Sequence, residues 1–233
     1  MLLNSVGEVG LINNSRLAGS SGSTLFQQAA TELRGPIPNY WFDFTRDRAI
    51  FNNVDVDTIT AGVTLTSGTL ALSSNGHAIS SAANVLDIPI TLAHPFTYYI
   101  EFVRTVDSGA NARVITIDDG TTAEYTTVYI SSTDAIRVEK YTASVIQLSY
   151  GSGITDTLNT IHKAAVRIES NNSQYSVNGT TPSADTSVTI GANPTRLLIG
   201  NSPAATALFT GYIRKVGIFT SSLTASQIQK MTP

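Results

Sequence analysis

The residues able to do chemistry in this chain of 233 residues are few and dispersed. Cleavage of a glycosidic bond needs two carboxyl groups, about 5 Å apart in a retaining mechanism and about 6.5–9.5 Å apart in an inverting one. Glu8, Glu32, Glu101, Glu124, Glu139 and Glu169 each stand alone, in different segments. Asp118 and Asp119 are adjacent, so on a strand they would face opposite ways, and the Gly120 that follows them marks a turn instead. No pair has the geometry of a glycosidase, and the chain reads as a non-enzyme. His77, His94 and His162 lie in separate segments without metal-ligand spacing. Each reads as a solvated or hydrogen-bonded loop residue. There is no Gly-x-Ser-x-Gly elbow, no phosphate-binding glycine loop with a lysine and no dinucleotide fingerprint.

Two weaker constellations remain. Asp118, Asp119 and Asn201 could supply oxygen ligands to calcium, but they lack the fixed spacing of a dedicated calcium loop, and an Asp-Asp-Gly surface turn accounts for the first two equally well. No other cofactor is expected. Sugar binding commonly uses an exposed aromatic ring as a stacking platform, with a few polar partners in an otherwise fixed groove. Trp41, the only tryptophan, falls opposite the apolar face of its strand. It is a platform, a subunit contact, or a side chain packed under an N-terminal helix. Tyr125 and Tyr129 share one strand face and are the other candidates, with a core role as their alternative.

The elements that must position these residues are strands. From Tyr40 onward, short β-branched and aromatic segments are broken by Gly, Asn, Asp, Ser or Pro, the spacing of a sandwich or barrel. "YWFDF" (40–44) puts Tyr40, Phe42 and Phe44 on one face, with Trp41 and Asp43 on the other. "VTLTSGTLAL" (63–72) has the pattern of a hairpin about Ser67-Gly68. "FTYYIEFVRT" (96–105), "RVITIDDGTTAEYTTVYIS" (113–131), "AIRVEKY", "VIQLSYG" and "HKAAVRIESNNSQYSVNGTTP" (162–182) give strands and two-stranded units with no room for crossover helices. "RLLIG" (196–200) and "LFTGYIRKVGIF" (208–219) follow, the latter with Tyr212, Arg214 and Val216 alternating with Ile213, Lys215 and Gly217. Ser222 or Thr224 then caps a short helix whose Leu223, Ile228 and Met231 form one apolar stripe. So short a helix is unstable alone and must lie on the sandwich.

The first 36 residues differ. Residues 1–22 read as an arm that takes its order from a partner. "TLFQQAATELRG" then carries a capping box, Thr24 with Gln27, a stop signal at Gly35 and Pro36, and Leu25, Phe26, Ala29 and Leu33 on one side of a helix. The expected division is an arm with a helix over residues 1–36 and one β domain over residues 37–233.

Composition narrows the class. Charged residues make up 13% of the chain and the formal net charge is −3, without the basic stripe that neutralising phosphates requires, so no nucleic-acid partner is expected. The absence of cysteine excludes a disulfide framework and thiolate metal sites. The N-terminus "MLLNSVGEVGLINNSRLAG" shows neither a basic n-region nor an uninterrupted apolar h-region, and no apolar run is long enough to span a membrane, so neither a signal peptide nor membrane insertion is expected.

The ordered run "LLIG…FTGYIRKVGIFTSSLTASQIQKM" resembles the C-terminal end of laminin-G-like, concanavalin-A-like lectin sandwiches. "YSVNG" (175–179) is similar to that family's short hairpin and "PFTYYIEFV" to its early aromatic strand. "FDFTRDRAIF" (42–51) resembles the opening of such domains in tailed-phage fibre and other virion proteins. The resemblance covers about residues 38–233. It implies an all-β, two-sheet antiparallel jelly roll closed by the terminal helix.

Function follows as an expectation resting partly on analogy. The protein is expected to be a non-enzymatic virion protein of a tailed phage, assembled in the host cytoplasm and docked to other virion proteins through residues 1–36. It would act in adhesion to cell-surface glycans or in decoration of the capsid or tail, as a homo-oligomer with a trimer favoured. A bacterial carbohydrate-binding or adhesion module, and a glycan-cleaving enzyme on the same fold, are the alternatives.

Overall fold

The structure, a computed structural model, describes residues 24–233. The arm expected over residues 1–22 lies outside the described residues. The chain runs through α1 (Leu25–Leu33), β1 (Tyr40–Asp43), β2 (Arg48–Phe51), β3 (Val54–Asp55), α2 (Ile59–Gly62), β4 (Leu72–Ser73) and β5 (Gly76–Ile79). There follow β6 (Leu86–Pro89), β7 (Phe96–Arg104), β8 (Ala112–Asp118), β9 (Tyr125–Ile130), β10 (Ala135–Thr142) and β11 (Val145–Thr155). The last elements are β12 (Ile161–Ile168), β13 (Ser173–Val177), β14 (Ser183–Asp185), β15 (Arg196–Ile199), β16 (Gly211–Phe219) and α3 (Ala225–Met231).

These strands form a two-sheet antiparallel β-sandwich of the jelly-roll kind. One sheet is ordered β14-β13-β12-β7-β16-β1-β2-β3, with β5 and β4 attached beside β16; the other, six-stranded, is ordered β11-β10-β9-β8-β15-β6. The inward positions of both sheets carry the apolar residues. Phe42, Phe44, Phe96, Tyr98, Ile100 and Phe102 face Val128, Ile130, Ile136, Val138, Leu197 and Ile199 across one buried cluster. This is the alternation expected of a sandwich, one inward residue for each outward one.

Two local readings of the sequence fail for identifiable reasons. Residues 63–72 do not form a hairpin. Thr66 N–H donates to Asp87 O at 2.8 Å, Asp87 N–H to Ser67 O at 3.1 Å and Thr69 N–H to Ala83 O at 2.9 Å, so the segment lies along β6 and its approach. Gly68 is needed for that close approach and not for a two-residue turn: its φ is +99°, and a Cβ there would stand 2.0 Å from Val85 O. In β16 the simple alternation is broken by a bulge between Ile213 and Lys215, which lets Ile213, Val216 and Ile218 all reach the core.

The helices α1 and α3 are set by their caps. Thr24 and Gln27 form the capping box of α1, and Thr224 and Gln227 that of α3. The left-handed residue ending α1 is Arg34, with φ 52°, one position before the glycine that marked the stop. The two helices lie side by side on the outer face of the larger sheet. Leu25, Ala29 and Leu33 join Leu223, Ile228 and Met231 over Trp41, Tyr99, Ala165 and Phe219 in a second buried cluster.

The three histidines belong to the packing. His77 is fully buried, its Nδ1 accepting from Ala71 N–H at 3.1 Å while Nε2 contacts Asn84 O at 2.7 Å, an arrangement that requires the neutral ring. His162 is also buried and His94 partly so. Burial pushes all three below the usual imidazole range, against smaller upward pulls from Asn84 O on His77, Ala192 O on His94 and Asp156 on His162. The unfolded chain therefore takes up these protons first as the pH falls. Their stabilising contribution is complete above about pH 6.5 and is lost below it, at up to about 1.4 kcal/mol per pH unit for each proton. The urea midpoint is expected to drop between pH 7 and pH 5; a midpoint constant over that range would contradict the neutral assignment.

Candidate functional site

The outward positions of the six-stranded sheet carry a polar and aromatic surface, and cross-strand register assembles it. Arg113 on β8 stands opposite Tyr129 on β9, and Tyr129 opposite Arg137 on β10, which in turn faces Gly151 on β11. A parallel row joins Thr116, Thr127 and Glu139, and a third joins Arg196, Asp118, Tyr125 and Tyr141.

These side chains hold one another. The Arg113 guanidinium lies 4.8 Å from the Tyr129 ring centroid and 5.3 Å from that of Tyr125. It also donates to Glu139 Oε2 at 3.3 Å, while the Tyr129 hydroxyl donates to Glu139 Oε1 at 2.6 Å. Tyr125 stacks on Tyr141 with centroids 4.4 Å apart and planes inclined by 18°. Burial raises both phenols well above the ordinary tyrosine range, and Glu139 raises Tyr129 further, so both remain neutral donors. Arg196 grips Asp118 with two bonds, Nε to Oδ1 at 2.8 Å and Nη2 to Oδ2 at 3.0 Å, and reaches Asp87 at 3.6 Å.

Residues 201–207, after β15, lie over this face. Asn201 is buried and organises the loop, its Oδ1 accepting from Ser202 N–H at 2.8 Å and Ala207 N–H at 3.0 Å. Thr116 Oγ1 ties the loop down by donating to Asn201 O at 3.0 Å. A cleft opens on either side of it. One, of about 310 Å³, lies among Asn111, Arg113, Thr122, Tyr125 and Pro203. The other, of about 470 Å³, lies among Ser67, Thr69, Val85, Asp87, Arg196 and Leu198. One wall of the larger cleft is thus the segment that was expected to be a hairpin.

The structure sorts the sequence candidates. Tyr125 and Tyr129 share this face as expected, and Tyr125 lines the smaller cleft. Neither offers a bare ring, because Arg113 covers both and only 9% and 5% of their surfaces are exposed. Trp41 belongs elsewhere. It is 1% exposed beneath α1 on the other sheet, stacked on Tyr99 at 6.4 Å, so it cannot serve as a sugar platform.

The three oxygen donors considered for calcium do not fit an ion. Asp118 is occupied by Arg196 and by Gly120 N–H at 2.8 Å. Asp119 closes its own turn through Thr121 N–H at 2.9 Å. Asn201 turns its Oδ1 into its own loop, where it accepts from Ser202 N–H and Ala207 N–H. Among the described residues, no cluster of three or more His, Asp or Glu is placed to hold a metal ion.

Sequence reading passed over Arg113, Arg137, Glu139, Tyr141 and Arg196. The signal was present in "AIRVEKY", whose Arg137, Glu139 and Tyr141 occur at every second position, the outward set of a strand. Which strand lies beside it cannot be read from the segment alone.

Residues 73–229, two thirds of the chain, match the Laminin_G_3 family, concanavalin A-like lectin/glucanases superfamily. No curated protein matches the chain by sequence. Among solved structures, the fold is similar to domain 4 of AbnA, a GH43 extracellular arabinanase from Geobacillus stearothermophilus, in complex with arabinotriose. That match has a TM-score of 0.61 at 11% identity and covers 84% of this chain and 98% of that one. A sialidase from Trypanosoma rangeli matches with a TM-score of 0.59 at 12% identity, over 83% of this chain and 32% of the sialidase. The heptameric SAP-like pentraxin from Limulus polyphemus matches with a TM-score of 0.51 at 11% identity, over 65% of this chain and 78% of that one. At such identities the likeness is one of fold. The sandwich, its register and the family match together place this chain in the concanavalin A-like lectin/glucanases superfamily.

Proposed function

We propose that this protein is a non-enzymatic glycan-binding module whose site is the outer face of the six-stranded sheet. The observation that carries the reading is the combination of two open clefts with an ordered set of hydrogen-bonding side chains around them. The guanidinium groups of Arg113 and Arg196, one at each cleft, suit the hydroxyl groups of a sugar. The similar arabinanase domain, whose structure holds arabinotriose, adds support at the level of fold.

The acids of this face favour binding over hydrolysis. Glu139 is held by Arg113 and Tyr129, and Asp118 and Asp87 by Arg196. A nucleophile must be free to attack and a general acid free to reach the leaving oxygen, and carboxylates held in this way are committed to their partners. The reading needs no cofactor, and binding is expected to be independent of calcium.

The finer reading is a tailed-phage virion protein, assembled in the host cytoplasm. There the module would serve host or environmental glycan adhesion, or decoration of the capsid or tail, docked to other virion proteins by the N-terminal arm and as a homo-oligomer, a trimer being expected. Its support is the sequence resemblance to virion domains. Because α1 covers Trp41, the truncation that tests docking should stop at Gly22, leaving the sandwich intact.

A glycan array probed with the full chain, in calcium and in EDTA, tests the function. Binding to a defined set of glycans in both buffers is the expected result. Silence from a folded sample in both would overturn the glycan reading and leave a scaffolding role for the sandwich.

A further inference from the structure

The glycan-binding face carries three arginines, and two of them are matched. Arg196 has Asp118 and Asp87, and Arg113 has Glu139, all within 4 Å. Arg137 is not among the ion pairs of the described residues. It is partly buried, and its Nε is sealed from water without a hydrogen-bond acceptor. The Nε atoms of Arg48 and Arg104 are shielded in the same way, but both of those guanidinium groups have a carboxylate within 4 Å, and Arg137 has none to balance its charge.

The surroundings show why no neighbour in the sheet does so. Glu139, two residues further along the same face, is taken by Tyr129 and Arg113. On the other flank the partner in register is Gly151, which has no side chain to offer, and a Cβ there would meet nothing within 4 Å. Arg137 therefore borders open space at the end of the row that starts with Arg113 at the smaller cleft. Two strand spacings separate the two arginines, about 10 Å, a distance that one disaccharide spans.

We infer that the glycan bound on this face carries a carboxylate and that Arg137 is the residue that reads it. The inference rests on the glycan-binding reading and names its ligand class. A planar carboxylate matches the guanidinium fork with two parallel bonds, whereas a neutral sugar hydroxyl supplies one weaker acceptor and no counter-charge. Loss of such a charge-assisted contact lowers affinity by about 10- to 100-fold.

The test is calorimetric titration of the full chain with two acid and neutral pairs, sialyllactose against lactose and trigalacturonate against its methyl ester. The acidic member of at least one pair is expected to bind about 10- to 100-fold more tightly than its neutral counterpart, with an affinity that weakens as salt is raised. Arg137→Gln should abolish that preference and leave the urea midpoint near the parent's. Equal affinity for acid and neutral members, or a preference retained in Arg137→Gln, overturns this inference while the glycan-binding reading stands. Failure to bind any glycan, on the array as in the calorimeter, overturns both. The comparison of ligands on the parent chain needs no variant, so it holds even if Arg137→Gln folds poorly.

Discussion

Replacing Arg104 with methionine is expected to destabilise the sandwich by about 3–5 kcal/mol, the loss seen when one partner of a buried ion pair is removed. Arg104 ends β7 with 2% of its side chain exposed and meets three acids from three places in the chain. They are Asp107 just after β7, Asp134 at the entry to β10 and Asp156 just after β11. Asp156 is wholly shielded and lies 3.2 Å from His162 at the start of β12. One guanidinium thus ties the edge of the larger sheet's central strand to the hairpin strands of the smaller one. Without it, burial opposes the ionised Asp156, a group whose carboxyl is already raised above its ordinary range by desolvation despite Arg104. The double change Arg104→Met with Asp156→Leu should recover much of the loss, because the stranded charge goes with its partner. Urea unfolding measures both, and a single-variant loss under about 1 kcal/mol would show that the cluster is better solvated than its burial implies.

Trp41→Ala is the second large effect and has two readouts that must diverge. The indole fills the space between α1 and the larger sheet, against Tyr99 and close to Leu33 and Gly217. Its removal opens a large cavity, for which about 3–5 kcal/mol is the usual cost, and the loss should loosen α1. Glycan affinity, measured below the unfolding transition, is expected to stay at the parent value because the clefts lie on the other sheet. Weakened binding with unchanged stability would return Trp41 to the ligand site and contradict the placement of that site.

Much of the fold is legible in the sequence because strands and caps are local. The alternation in "YWFDF" and "FTYYIEFVRT", the Thr-x-x-Gln boxes of both helices and the turn at Asp118 to Gly120 all depend on near neighbours. The failures are those of distance. Ser67-Gly68 has the composition of a hairpin turn, but its glycine answers to Val85, a residue 17 positions on. The bulge at Arg214 is a matter of pairing with β7 and leaves no mark in "GYIRKVG" itself. The same limit applies to the site. Tyr125 and Tyr129 were recognisable as one face, whereas Arg113, Glu139 and Arg137 join them through register with two other strands. Trp41 was ambiguous for the converse reason. Its outward position in β1 is clear from alternation, and only packing reveals that α1 covers it.

The most direct test of the central claim is a backbone NMR titration of the isotope-labelled chain with the tightest array ligand. Glycan binding on the outer face of the six-stranded sheet predicts that shift changes cluster at residues 67–69, 82–87, 111–129, 137–151 and 196–207, with α1 and α3 silent. Changes concentrated on the helices, or on the larger sheet around Trp41, would contradict it.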